Sequence, residues 1–294
     1  MKMFIKRFLF VLFNTMMIIL LFMVNGATVR MVSAKAATGY ASLSSCGSFT
    51  KFERGNFSKP TRINNRYYPL TPGLQFTLSG TTSAGTHTVV FTVTDLTKVI
   101  DGVTTRVLWD QDFQDGELAE SELAFQAQDN AGNVWVLGEY PEEYEAGQFT
   151  GAPFTWMNGI DHANAGVLVP GEPMLDKAAF LEGKSPSIDF WDCGQVNALG
   201  QMVSVPTGEY KNVLVINEWA PLEHSSAIQQ KFYAPGVGVA QIGAINDPEA
   251  ETLVLTKFDR LNTGQLAAVR KEALKLDMHG YQVSSVYSQT QPAK

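Results

Sequence analysis

The sequence predicts an all-β fold: an antiparallel meander forming a barrel, half-barrel or sandwich, with a C-terminal amphipathic helix. Three observations carry this expectation. Apolar and polar residues alternate with period two through much of residues 66–258, short Asp-Gly turns separate the alternating stretches, and the tail switches to a spacing of three and four.

The alternation is clearest where Val89, Phe91 and Val93 interleave with Thr88, Thr92 and Thr94. Asp101-Gly102 then tolerates the positive φ of a hairpin turn, and Val103, Thr105, Val107 and Trp109 alternate again. Asp115-Gly116 makes the next turn, before a strand with Leu123, Phe125 and Ala127 on one side. Asp129-Asn130-Ala131-Gly132 turns the chain into a fourth strand at 133–137. Crossover helices are absent between these stretches, which excludes a parallel sheet for this half. Residues 138–200, rich in Glu, Gly and Pro, read as a long irregular insertion with one or two short strands, such as 166–169. Strands resume at Gln201. Residues 210–219 are apolar on both faces, as in a strand covered on both sides, and further strands follow at 227–233, 239–242 and 252–258. In the tail, Asn262 and Gln265 match a capping box. Leu266, Val269, Ala273 and Leu276 define a helix over 263–278 that packs as a lid on the sheet, and Gly280 stands where a C-terminal cap glycine would.

The first 36 residues read as a signal peptide. Lys2, Lys6 and Arg7 precede an apolar run over 8–24 broken only by Asn14 and Thr15, and small residues follow. The expected location is secreted or extracytoplasmic; the alternative is anchorage to the membrane by an uncleaved N-terminal segment. Residues 37–65 form an irregular lead-in, 66–258 the β domain, and 259–294 the C-terminal helix and tail. Hydrophobic residues make up 45% and charged residues 17%, as in a folding chain. Five basic and no acidic residues lie in 1–36, so the remainder holds 17 basic against 29 acidic side chains, a net charge of −12. That balance argues against nucleic acid and anionic lipid surfaces as partners. An oxidising compartment permits a bond between the two cysteines, Cys46 and Cys193, and the long loop it closes would be worth about 4 kcal/mol; unpaired thiols are the alternative. Lipidation at Cys46 is disfavoured by its distance from the apolar run.

Tyr67-Tyr68-Pro69-Leu70-Thr71-Pro72-Gly73 resembles the opening of an uncharacterised family of exported bacterial β-rich proteins, with the pattern Y-[YF]-P-L-x-P-G. The resemblance continues through Val205-Pro206-Thr207-Gly208-Glu209-Tyr210 (V-P-x-G-x-[FY]) and Tyr233-Ala234-Pro235-Gly236-Val237-Gly238 (Y-x-P-G-V-G), and covers most of residues 57–258. It implies a β-rich architecture, an open barrel, and an exported location. It implies no activity, because these segments mark turns and strand starts.

No motif selects a catalytic residue. Gly183-Lys184-Ser185-Pro186-Ser187 lacks the last glycine of a nucleophile elbow, and Gly236, Gly238 and Gly243 miss both the spacing and the helix start of a dinucleotide fingerprint. His87, His162, His224 and His279 form no ligand pair, and Asp129 to Asn133 lacks the terminal Glu of a calcium loop. No metal or cofactor is expected. Asp110, Asp112, Asp115 and Glu117 read as a solvated hairpin tip, with weak binding of a hard cation as the alternative. Two constellations stand as low-ranking ligand candidates: Trp156 with Asp161 and His162, and Glu218 with Glu223, His224 and Lys231. In the second, Glu218 shares a face with Leu214 and Ile216 and needs a partner, for which Lys231 on the returning strand is the obvious choice.

The preferred function is a binding module holding a hydrophobic small molecule or lipid in its barrel, supported by the meander and by Trp109, Trp135, Trp156 and Trp219. The alternatives are an envelope protein-interaction module and, further off, a carboxylate-dependent hydrolase or lyase.

Overall fold

The Val/Thr alternation around residue 90 folds into long antiparallel hairpins. The computed structural model describes residues 45–47, 50–223 and 226–294. The expected signal peptide lies outside them, as do residues 37–44 and 48–49 of the lead-in. Two short strands, Ile63–Asn64 (β1) and Pro69–Leu70 (β2), pair with each other ahead of the main sheet. The meander then runs through Leu74–Thr82 (β3), Gly85–Ile100 (β4), Val103–Gln114 (β5), Glu117–Gln128 (β6) and Val134–Glu145 (β7), each antiparallel to the next. Asp101 and Gly102 take φ of +45° and +78°, and Asp115 and Gly116 +50° and +85°; two consecutive positive values match the twist of a two-residue hairpin. At the next turn, the Asp129 carboxylate accepts from the backbone N–H of Ala131 and Asn133, from Asn133 Nδ2 and from Trp135 Nε1. Both of its oxygens are thus engaged within the turn, as a structural hairpin requires.

The expected irregular insertion is mostly sheet. Gln148–Gly151 (β8) and Trp156–Met157 (β9) hang on β7, and Asn164–Val169 (β10), Phe180–Ser185 (β11) and Phe190–Val205 (β12) enter the main sheet. Non-alternating composition concealed them, since strands buried on both faces, such as β10 and β11, lose the polar half of the pattern. Gly208–Trp219 (β13), Ile228–Ala234 (β14), Gly238–Ile245 (β15) and Thr252–Arg260 (β16) complete the series. Pairing of β16 with β3, and of β10 with β7, closes twelve strands into an antiparallel barrel. Closure removes the exposed edges that an open sheet would present. Val213, Leu214, Val215 and Ile216 of β13 are all buried, as expected of a strand covered on both sides.

The strands place alternate residues inside and outside. On β5 and β6 the even-numbered Leu108, Asp110, Asp112, Glu120, Glu122, Ala124 and Gln126 line the lumen. Phe125, of opposite parity, lies beneath the C-terminal segment, 6.1 Å from the Tyr287 ring. That segment is the helix Thr263–Val283 (α1), opened by the Asn262–Gln265 capping box with both reciprocal bonds present. The helix packs on β4 and β6 as a lid. It runs past Gly280, which is not its cap: a Cβ there would meet the Tyr287 ring at 2.6 Å, so the glycine permits close approach instead. Lys98 of β4, fully buried, anchors the arrangement. Its ammonium donates to Asp277 at 2.9 Å, the Tyr281 hydroxyl at 2.7 Å and the Gln291 carbonyl at 2.7 Å, while Tyr287 donates to Asp277 at 2.6 Å. Burial pulls the Lys98 pKa down, and Asp277 acts against that shift.

Cys46 and Cys193 form a disulfide, with Cα atoms 5.8 Å apart. It ties the segment before β1 to β12, and Gly47 of the same segment bridges Phe180 of β11.

Candidate functional site

The lumen holds a cavity of about 240 Å³. Its apolar wall includes Val89, Phe91, Leu108, Trp219 and Val239, and a smaller, wholly apolar or aromatic pocket of about 30 Å³ adjoins it at Tyr68, Phe91, Leu108 and Val239. Among the described residues, twelve carboxylates and one lysine line the larger cavity. This is where the sequence and the structure differ most. Asp110 and Asp112 do not sit on a solvated hairpin tip; they point into the barrel, and Asp112 is 3% exposed. Asp115 and Glu117 do stay exposed at the tip, where Asp115 accepts from the Thr86 backbone N–H and hydroxyl.

Register brings the acids together. Asp110 lies directly opposite Glu122, and Asp112 directly opposite Glu120, across the β5–β6 pair. Like charges facing each other at this spacing destabilise a sheet. The consequence shows at Asp112: burial first, then the neighbouring Asp110, Glu120, Glu251 and Glu122, push its pKa well above the usual carboxylate range. Asp112 therefore keeps its proton into a pH range where an exposed Asp has lost it. His87, also buried, has Nε2 3.9 Å from Asp112 Oδ1 and Nδ1 2.8 Å from Glu251 Oε1. Gln229 Nε2 donates to the other Glu251 oxygen at 2.6 Å.

Across the lumen, Lys231 meets Glu218 at 2.5 Å, and the Tyr233 hydroxyl donates to Glu218 at 3.3 Å. The expected pair is present, and both residues line the cavity. Burial raises the Tyr233 and Tyr68 pKa values, with nearby carboxylates adding to it, so both phenols stay protonated and able to donate. Glu223 lines the same cavity, whereas His224 lies outside the described residues.

The other constellation is not assembled. Trp156 is buried, donates Nε1–H to Glu139 at 2.9 Å and stacks on Phe190 with centroids 5.3 Å apart. Asp161 and His162 are exposed on a turn with φ of +49° and +63°. A buried indole held by Glu139 and Phe190 and an exposed imidazole on a turn form no common site.

Sequence reasoning missed His87, Asp110, Asp112, Glu120, Glu122 and Glu251. The available signal was parity: Asp110 and Asp112 share theirs with Leu108, and Glu120 and Glu122 with Ala124 and Gln126. Among the described residues, no three His, Cys, Asp or Glu side chains come together as a metal site.

No protein-family model matches the chain, and no curated protein matches it either. Two solved structures resemble it. One, from Bacteroides fragilis, is named an exported protein with a YmcC-like fold; it is 14% identical, with a TM-score of 0.36 over 66% of this chain and 99% of its own. The other, from Parabacteroides distasonis, is named a lipoprotein; it is 10% identical, with a TM-score of 0.35 over 66% of this chain and 98% of its own. Likeness at this level carries no information about function.

Proposed function

We propose that the chain is an extracytoplasmic binding module that holds a small organic ligand inside its barrel. The cavity of about 240 Å³ carries this reading, because barrel interiors left partly unfilled are ligand sites by preference. The Cys46–Cys193 bridge supports the compartment, since such bonds persist in oxidising surroundings. Resemblance to exported β-rich proteins in the Tyr67 to Gly73 segment points the same way. The wall narrows the hydrophobic ligand expected from sequence to one that also carries hydrogen-bond donors, since carboxylates accept and do not donate once ionised.

The test is a fluorescence titration of the mature chain with the neutral apolar dye N-phenyl-1-naphthylamine. Saturable binding at one site per chain is expected, weakened about tenfold (~1.4 kcal/mol) by Ala124→Phe, which fills the lumen wall. A folded protein, verified by circular dichroism, that neither binds dye nor yields a copurifying small molecule by mass spectrometry would remove the reading.

A second reading, a carboxylate-dependent hydrolase or lyase, draws on Asp112: a desolvated acid facing Glu120 is the arrangement a general acid needs. Turnover of a glycoside substrate abolished by Asp112→Asn would favour it.

A further inference from the structure

Resting on the binding-module reading, we propose that the ligand is a hydrophobic alcohol, its hydroxyl held between Gln126 and Arg106 and its apolar body directed into the small pocket beside them. Register brings the two polar residues together. Arg106 of β5 lies directly opposite Gln126 of β6, two residues along from the Leu108–Ala124 pair and on the same face. Gln126 lines the cavity and is 4% exposed. Burial raises the Tyr68 pKa, and a hydrogen bond from the Gln126 side chain acts against that shift, so the amide donates its Nε2–H to the phenol oxygen. The other half of the amide, Oε1, is buried and has no hydrogen-bond partner among the described residues. Arg106 is half-buried, and its Nη1 donates to the Leu96 carbonyl at 3.4 Å. Its Nε–H is buried and likewise unmet among the described residues.

One acceptor and one donor, on directly opposed residues, set the chemistry of the group that fits between them. That group donates to an amide oxygen and accepts from a guanidinium N–H. A hydroxyl does both. An ammonium donates but cannot accept, and the permanently charged guanidinium repels it. An ether or an ionised carboxylate accepts but cannot donate. Buried polar atoms left unmet cost stability, so a group that meets both atoms gains over one that meets a single atom. The apolar part of the ligand follows from the walls. Tyr68, Phe91, Leu108 and Val239 line both the larger cavity and the small pocket of about 30 Å³, which Phe76 and Leu78 close with apolar surface. Gln126 thus stands beside the entrance to an apolar recess, through its bond to Tyr68 and its place next to Leu108. The larger volume, about 240 Å³, lies below the ~300–1,000 Å³ of drug-sized pockets, which suits a single ring and not a long acyl chain.

The experiment displaces N-phenyl-1-naphthylamine from the mature chain with benzyl alcohol, benzyl methyl ether and benzylamine in parallel, with direct calorimetry for each. The three share a ring and differ in the polar group. Benzyl alcohol is expected to act at concentrations about tenfold below either of the others. Gln126→Leu, which exchanges the amide for an apolar side chain of similar size, should bring alcohol and ether within about twofold of each other. Val239→Phe, which fills the small pocket, should weaken the alcohol about tenfold. Ether binding as tightly as the alcohol would show that solvent already meets Gln126 and Arg106, and overturns the proposal. Benzylamine binding as tightly would make the ligand a cation and overturns it too. An alcohol preference untouched by Gln126→Leu, or an affinity untouched by Val239→Phe, places the ligand elsewhere and overturns it as well. If neither variant folds, the comparison of the three compounds on the wild type still decides. Dye binding with no displacement by any of the three overturns the alcohol and leaves the container reading standing. Absence of both dye and alcohol binding in a folded protein removes the two together.

Discussion

Two groups of buried charge lie on opposite sides of the same barrel wall, and they are built differently. On the outer face, Lys98 and Asp277 form a node in which every ammonium donor is accounted for: a carboxylate, a phenol and a carbonyl. Asp277 in turn receives the Tyr287 hydroxyl and the Ala293 backbone N–H. On the lumen face, Asp110 and Asp112 stand opposite Glu122 and Glu120, while Gln126, Trp191 and Trp219 keep polar atoms without partners among the described residues. A self-sufficient polar cluster fixes the position of α1 and the tail. The lumen cluster instead sets like charges directly opposite one another, an arrangement that costs strand pairing rather than adding to it.

The sharpest way to break this contrast is Lys98→Met. It leaves the Asp277 carboxylate buried without its cation, and a loss of about 3–5 kcal/mol is expected in urea unfolding. A small loss would mean the node is no more structural than the lumen acids. Tyr287→Phe removes one hydrogen bond to the same carboxylate and should cost about 1.5–3 kcal/mol, read in the same experiment. The lumen side predicts the smallest effect and the opposite sense. Asp112 has its folded-state pKa raised above the usual 3.8, so the protein takes up a proton there on folding. That contribution is complete below about pH 4 and is lost as pH rises through the folded-state pKa. Asp112→Asn cannot ionise, so its stability should exceed that of the wild type increasingly as pH rises, by up to about 1 kcal/mol. Melting temperatures measured from pH 4 to 9 give the comparison; parallel curves would show that the lumen acids do not repel one another.

The meander and the helix were legible because each has a period and a punctuation mark. Asp101-Gly102 and Asp115-Gly116 fix hairpins, and Asn262 with Gln265 fixes the start of α1. The β10–β12 region was not, since Gly166, Gly171, Gly183 and Gly194 resemble loop composition, whereas Gly166, Gly183 and Gly194 sit within strands where a side chain would collide with neighbours. The acid wall was concealed by one residue. Counting outward from the Asp115-Gly116 turn pairs Gln114 with Glu117 and Phe113 with Leu118, and would set Asp110 opposite Ser121. A bulge between Asp112 and Phe113 shifts the register, placing Asp110 opposite Glu122 instead. Nothing in the local composition announces that bulge. The Glu218–Lys231 pair needed only adjacent strands and was readable.

The disulfide has a mechanical meaning. Because Cys46 is covalently joined to Cys193, tension applied to the polypeptide upstream of Cys46 is delivered straight to β12 and bypasses everything between Cys46 and Leu74. A pull on that side would therefore be taken up at the barrel wall, and the short β1–β2 hairpin would carry none of the load.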